Sequence, residues 1–133
     1  MIYALDSNII SYLLKDNPKV YDNFDKVVAN GGRCIIPPIV YYEVKCGLLF
    51  SGATTKAIAF DTLCHELGVG EMSVPIWNEA ARRYADLRKR GRPIEDADLF
   101  IAAFCIVIGC TLVTNNEKHF DGIDGIQIVN WTE

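Results

Sequence analysis

Short apolar runs of strand length alternate along this chain with longer segments in which apolar residues recur every three or four positions. The runs of strand length cover residues 2–5, 34–36, 68–74, 110–113 and 126–129. The helical pattern covers residues 9–14, 18–30, 39–50, 54–67, 75–90 and 99–108. Strands that alternate with helices are typical of a parallel sheet covered on both faces. The pattern therefore predicts an α/β fold, a three-layer α/β/α sandwich on a parallel sheet of four or five strands.

The segment after the break at Gly91 has its charges at one end and its apolar residues at the other. Three carboxylates, Glu95, Asp96 and Asp98, precede the uncharged run 99–108. A helix that is apolar all round is buried on more than one face. Asp96 can be explained as a plain cap of the helix N-terminus. Asp98 lies on a face that continues with apolar residues, and a buried carboxylate needs a partner or a metal ion.

Two further acids stand at unusual places in the pattern. Asp6 follows the first strand directly, at the sheet edge where α/β folds place their ligands, although a helix N-cap alone would also explain it. Glu43 lies on the predicted buried stripe of helix 39–50, although a narrow stripe would leave it at a solvated edge. Both acids therefore have a structural and a functional interpretation.

In the predicted sheet, these acids lie at equivalent ends of neighbouring elements. Asp6, Glu43 and Asp98 converge at one edge with Thr114 and Asn116, which end the next strand. Crowded carboxylates repel one another unless protonation or a cation relieves the repulsion. Oxygen ligands select hard cations, Mg²⁺ or Mn²⁺, rather than zinc. Cations held in this way most often serve phosphoryl chemistry.

Composition narrows the class of protein. A chain of 133 residues with 50% hydrophobic and 23% charged residues is expected to form one globular domain, residues 1–133. No apolar stretch is long enough to span a bilayer, and the start lacks the basic residues of a signal peptide, so we expect no membrane partner. Five cysteines without CxxC spacing indicate buried free thiols in a reducing cytoplasm.

Basic residues are unevenly distributed in a chain whose net charge of −4 argues against general nucleic-acid binding. Six of the 13 form a basic run at the end of one helix and in the loop that leads to Asp98: Arg82, Arg83, Arg88, Lys89, Arg90 and Arg92. We expect Arg88, Arg90 and Arg92 to contact substrate phosphates. The alternative is a solvated helix face, in which some cations stabilise the helix C-terminus.

Four stretches together carry a resemblance to a known family. They are LDSNII at 5–10, Glu43 after PPI at 37–39, DLFIAA at 98–103, and LVTNN followed by HF within 112–120. In this order, which spans nearly the whole chain, the sequence resembles a PIN domain. More specifically, it resembles a VapC-type ribonuclease toxin of a type II toxin–antitoxin pair.

The resemblance implies an endoribonuclease that depends on Mg²⁺ or Mn²⁺ and hydrolyses RNA phosphodiesters. It implies that Asp6, Glu43 and Asp98 hold the metal ion and that Asn116 fills a fourth polar position. Asn116 is an amide where some relatives have aspartate. Asp96 matches a frequent acid of the family and is a further candidate ligand.

The same resemblance implies partners. It predicts a homodimer and an antitoxin whose C-terminal segment occupies a groove beside the site. Leu48, Leu49 and Phe50, which end a predicted helix at a Ser-Gly break, could form an exposed binding patch or ordinary core packing. Asn8 and Thr114, within the matching stretches, are expected to contact the RNA substrate.

Three other classes fit the sequence less well. A receiver domain of bacterial signalling would need an aspartate after its third strand and a lysine after its fifth, and neither is present. A phosphatase with an Asp-x-Asp start is disfavoured because position 8 is Asn. A partner-binding module with vestigial acids remains an alternative, because a site can be lost from a fold.

Overall fold

The computed structural model describes residues 1–133, in which four strands and six α-helices form the regular structure. The strands are β1 (Ile2–Leu5), β2 (Arg33–Ile35), β3 (Thr111–Val113) and β4 (Gln127–Val129). The helices are α1 (Ser7–Leu14), α2 (Pro18–Ala29), α3 (Pro38–Ser51), α4 (Thr54–Leu67), α5 (Val74–Lys89) and α6 (Asp96–Ile108). A short 3-10 helix, Glu117–Phe120, follows β3.

The four strands form one parallel sheet in the order β2-β1-β3-β4. In the inner strand β1, Ala4 pairs with Ile35 of β2 on one side and with Leu112 of β3 on the other. Leu5 and Val113 are also in register, so β1 and β3 end side by side. This arrangement, with helices packed around the sheet, confirms the predicted α/β/α sandwich.

The predicted strand at 68–74 is wrong. Only Val69 pairs with the sheet, through a single parallel bridge to Ile36. The segment then passes against α6, where a Cβ on Gly70 would lie 2.4 Å from the ring of Phe104. The close approach of the backbone to this ring explains why a glycine stands at position 70. After it the chain leaves the sheet and enters α5 at Val74.

Helix α6 has more buried residues than any other helix. They are Leu99, Ile101, Ala102, Ala103, Phe104 and Cys105. It contacts α3, α5 and β3, which explains why its sequence has no polar face. Each large apolar side chain buried in this way contributes about 1.5–3 kcal/mol. No helix of the protein combines the length and the apolar character that crossing a bilayer requires.

Helix α3 faces the core with a different side from the predicted one. Glu43 is exposed, and the side chains packed on the core are those of Ile39, Val40, Tyr41, Val44 and Leu48. The predicted stripe was displaced around the helix, so the expectation that Glu43 is buried is wrong. Leu49 and Phe50 at the end of α3 are 77% and 95% exposed, as expected for a binding patch rather than core packing.

The cysteines only partly follow the expectation of buried thiols. Cys34, Cys105 and Cys110 are buried, Cys64 is half-buried, and Cys46 is exposed. Burial raises the pKa of the Cys34 thiol to about 11, which keeps it protonated and unreactive. The expectation of a buried thiol is wrong for Cys46, which is exposed on the outer side of α3.

We predict that Gly70→Ala destabilises the fold by about 1–3 kcal/mol, because the new methyl group must displace the Phe104 ring. The matched control is Gly47→Ala in α3, where a Cβ would meet no neighbouring atom. That change should be neutral or stabilising by up to about 1 kcal/mol, since alanine favours a helix interior. Urea unfolding measures both, and equal stabilities of the two variants would contradict the close packing at Gly70.

Candidate active site

Asp6 lies at the centre of a hydrogen-bond network at the carboxyl edge of the sheet. It is 6% exposed and caps α1, its Oδ1 accepting from the Ser7 N–H at 2.8 Å. Its Oδ2 accepts from the Thr114 hydroxyl at 2.7 Å and from Asn8 Nδ2 at 3.3 Å. Thr114 follows β3 directly, so the pairing of β1 with β3 brings donor and acceptor together. The predicted cap is therefore present, and the same carboxylate also joins two strands.

A second set of hydrogen bonds orients Asn8. Its Oδ1 accepts from the backbone N–H of Asn115 at 3.1 Å, which leaves its amide nitrogen to face Asp6 and Thr114. The side-chain nitrogen of Asn115 in turn donates to the Tyr12 hydroxyl at 3.2 Å. Sequence reasoning missed Tyr12 and Asn115. The only signal for Asn115 was its place in the polar cluster after β3.

Glu43 joins the network from α3. The Ser7 hydroxyl donates to Glu43 Oε1 at 2.9 Å, which connects this helix to the residue next to Asp6. Partial desolvation of the carboxyl group raises the pKa of Glu43, and the negative charges of Asp6 and Asp98 raise it further. The hydrogen bond from Ser7 opposes that rise. Glu43 is thus an exposed residue whose carboxyl pKa is raised by the charges of the other acids.

Asp98 lies on the first turn of α6 with its side chain 20% exposed. Its Oδ2 is 3.2 Å from Nδ1 of His119, in the 3-10 helix. Desolvation raises the pKa of Asp98, as do the charges of Asp6 and Glu95, whereas His119 lowers it. His119 was part of the matching stretch but was not predicted as a site residue.

The other acidic and amide candidates lie nearer the surface. Glu95, not Asp96, occupies the N-cap position of α6, so the cap interpretation of Asp96 is wrong. Asp96 is exposed on the first turn, while the charge of Glu95 acts on both Glu43 and Asp98. Asn116 is exposed, and its backbone N–H donates to the Thr114 hydroxyl at 3.0 Å. Glu95 is therefore a site residue that the pattern alone did not separate from its neighbours.

The basic run divides into bound and unbound cations. Arg82 and Arg83 both pair with Glu79, which is 8% exposed and whose pKa these contacts lower. Arg90 pairs with Asp86 at 2.9 Å and also donates to the Gly122 carbonyl at 3.1 Å. Arg88, Lys89 and Arg92 form no ion pair with a carboxylate. Half of the run thus stabilises α5 and the loop after the 3-10 helix.

The chemistry of the site fits a hard divalent cation. Asp6, Glu43 and Asp98 offer carboxylate oxygens. Burial raises the pKa values of Glu43 and Asp98, and the negative charge of Asp6 raises both further. The three side chains do not lie close enough together to form a ready-made set of metal ligands, and the Ser7 hydroxyl bonds to Glu43 beside Asp6. Mg²⁺ usually keeps several waters and takes only one or two carboxylates directly. The donor oxygens are of the type that Mg²⁺ or Mn²⁺ prefers, and an ion here would be held by one or two carboxylates and by water.

We predict that Thr114→Val destabilises the protein by about 1–3 kcal/mol, because a buried oxygen of Asp6 loses its 2.7 Å donor. Valine keeps the shape of threonine, so the loss reports the hydrogen bonds of this hydroxyl, both the one it donates to Asp6 and the one it accepts from the Asn116 N–H. Thr111→Val, on the same strand, is the control, since that hydroxyl makes only an exposed 3.4 Å contact with Gln127. Thermal and urea unfolding should show little change for Thr111→Val, and an equally small change for Thr114→Val would contradict the network.

Comparison with known proteins agrees with this arrangement. The PIN-domain family model matches residues 3–126. "Ribonuclease VapC1" of Haemophilus influenzae strain R2866 is 32% identical, with 100% of both chains covered. "Ribonuclease VapC2" of Rickettsia felis is 30% identical, with 98% of both chains covered.

Solved structures show the same similarity. VapBC2 from Rickettsia felis, bound to a DNA fragment from its promoter, matches with a TM-score of 0.90 and 28% identity over 98% of this chain and 99% of that chain. VapBC-1 from nontypeable Haemophilus influenzae matches with a TM-score of 0.88 and 31% identity over 100% of both chains. The chain therefore belongs to the PIN-domain family and, within it, to the VapC group.

Proposed function

We propose that this protein is a divalent-cation-dependent endoribonuclease that hydrolyses RNA phosphodiesters as the toxin of a toxin–antitoxin pair. The observation that carries the proposal is the placement of three acids at the carboxyl edge of the sheet: the charges of Asp6 and Asp98 raise the pKa of Glu43, and the charge of Asp6 raises the pKa of Asp98. The ribonuclease names of full-length relatives support the same activity.

Each acid of the site has a proposed role. Asp6, Glu43 and Asp98 would hold Mg²⁺ or Mn²⁺, and Asp96, exposed on the first turn of α6, is a further candidate ligand. A cation bound there lowers the pKa of a water molecule and screens the charge of the phosphodiester. The Glu43 carboxylate, which is accessible and held by Ser7, orients the attacking water.

The uncharged polar side chains of the site have two different roles: some hold Asp6 in place, and others are open to the substrate. Asn116 is exposed beside the acids and supplies the fourth polar position. Thr114 is fully buried and donates to Asp6, so it orients that carboxylate instead of lying open to RNA as the sequence suggested. Asn8 also donates to Asp6 and positions it, which restricts any contact that Asn8 makes with the substrate.

An RNA substrate requires cations near an otherwise acidic site. Arg88, near the end of α5, and Arg92, in the loop that leads to Asp98, form no ion pair, so both are proposed to contact phosphates. Arg90 is held by Asp86 and Gly122, so a phosphate would have to compete for it. Contacts to the backbone attract RNA without reading its bases.

A protein partner is proposed from exposed apolar surface. Leu49 and Phe50 are among the most exposed large apolar side chains of the chain. A groove lined by Val44, Leu48 and Ser7 lies next to them, although neither of the two lines it. Similar solved structures are VapBC assemblies, which supports an antitoxin partner, and we propose that the antitoxin covers the groove and the exposed end of α3. We also propose a homodimer and a cytoplasmic location, the latter because most of the free thiols are buried and suited to a reducing compartment.

The alternative is a partner-binding module without activity. The exposed patch at Leu49 and Phe50 fits that alternative equally well. The pKa values of Glu43 and Asp98 favour an enzyme, because a structural surface has no need to keep repelling acids together.

Asp98→Asn should lower the rate of RNA cleavage by about 100-fold or more, because it removes a charged ligand and keeps the shape. Since the native protein raises the pKa of Asp98, its ionised form costs stability at neutral pH, so the variant in EDTA should melt no lower than wild type. Asp25→Asn, an exposed change on α2, is the control and should leave cleavage unchanged. Undiminished wild-type cleavage in EDTA would rule out cation dependence.

Phe50→Ser should weaken binding to the protein encoded beside this gene by about tenfold or more, because Phe50 is 95% exposed and available as an anchor. Val28→Ser, at a 52% exposed apolar residue on α2, is the matched control and should bind normally. Calorimetric titration of the purified partner gives both affinities. Equal affinities would show that the end of α3 is not the contact surface.

A further inference from the structure

An aromatic ring and a guanidinium group lie together on the outer side of α5. Tyr84 is 43% exposed, and the Cζ atom of Arg88 lies 4.6 Å from the centre of its ring. The two residues are four positions apart, so they lie one above the other on the same helical face. A planar cation over an aromatic ring is held there by the ring's quadrupole. The surface thus presents two adjoining π-systems to solvent.

Arg88 is free of the contacts that hold its neighbours in the basic run. Arg82 and Arg83 pair with Glu79, and Arg90 pairs with Asp86. The Tyr84 ring is the contact that fixes the Arg88 guanidinium. Its charge is therefore not neutralised by any carboxylate and remains available to a phosphate.

This pair borders the loop that ends at the acidic site. Tyr84 and Arg88 line a shallow crevice together with Leu87, Pro93, Ile94 and Leu99. Leu99 is the residue after Asp98, and Ile94 precedes Glu95 and Asp96 in the same segment. One wall of the crevice is therefore formed by the segment that carries the proposed metal ligands. A nucleotide on the pair would lie beside the segment that leads to the site.

We propose that Tyr84 and Arg88 form a stacking site for one unpaired nucleobase of the RNA substrate. The proposal rests on the RNA cleavage proposed above and adds a subsite to it. Every base has a π-face, so stacking on an aromatic ring or an arginine plane binds single strands with little base preference. The Arg88 charge meets the adjoining phosphate. The pair would thereby favour single-stranded or loop RNA, whose bases are free to stack, over duplex RNA.

The test uses the uncleaving Asp98→Asn protein and a short single-stranded RNA that wild type cleaves. Tyr84→Leu removes the ring and keeps apolar bulk, so affinity should fall roughly 5- to 100-fold. Tyr84→Phe keeps the ring and should bind like the parent. Arg88→Lys keeps the charge but not the plane, so it should lose affinity while the salt dependence stays the same. Tyr21→Leu, at a 38% exposed tyrosine on α2, is the matched control and should have no effect.

An abasic nucleotide, moved through the RNA one position at a time, identifies the stacked base. At one position it should weaken binding to the parent as much as Tyr84→Leu does, and it should weaken the Tyr84→Leu protein no further. If wild type cleaves the RNA but Tyr84→Leu binds it normally, or if the two losses add at every position, the stacking site is wrong and the nuclease proposal stands. Loss of thermal stability without loss of RNA affinity would assign the pair to α5 stability, which also overturns it. If wild type neither binds nor cleaves RNA, the nuclease proposal fails and the stacking site fails with it.

Discussion

The buried carboxylate of Asp6 is the constraint on which the site depends. A charged group at 6% exposure must be compensated, and here the compensation comes from three donors: the Ser7 N–H, the Thr114 hydroxyl and the Asn8 amide. Thr114 reaches Asp6 only because β1 and β3 are parallel neighbours in register. Asn8 is turned toward Asp6 only because Asn115 occupies its oxygen. The geometry of the site therefore depends on the pairing of β1 with β3 in the sheet.

The acids around Asp6 oppose stability and so indicate function. Desolvation and like charges raise the pKa values of Glu43 and Asp98, which means that the native protein holds their ionised forms at a cost. Only Ser7 and His119 relieve part of it. A divalent cation would remove the repulsion, and this compensation is the physical reason to place Mg²⁺ or Mn²⁺ among these oxygens. The arginines that pair with Glu79 and Asp86 are held by these carboxylates, so the positive charge left unpaired in the basic run is confined to a few side chains.

The sequence pattern predicts the order of strands and helices better than it predicts which side chains are buried or in contact. The alternation of strands and helices and the uncharged run 99–108 of α6 follow from periodicity, because these elements are buried in one consistent way. Glu43 shows where periodicity fails. Helix α3 contacts several elements, so its sequence is compatible with more than one buried side. The side that packs on the core is not the side on which Glu43 lies. The close approach of Gly70 to the ring of Phe104 joins residues far apart in the chain, so no local sequence pattern predicts it. The roles of Glu95, Tyr12 and His119 likewise depend on contacts between segments far apart in the chain.

The central claim is that Asp6, Glu43 and Asp98 hold one divalent cation together. Titration of the purified protein with Mn²⁺, with free Mn²⁺ counted by electron paramagnetic resonance, tests it without any substrate. Wild type should bind with a defined stoichiometry. Asp6→Asn, Glu43→Gln and Asp98→Asn should each weaken the same binding event, while Asp25→Asn should not. Binding that is absent in wild type, or that survives all three substitutions unchanged, would contradict the account.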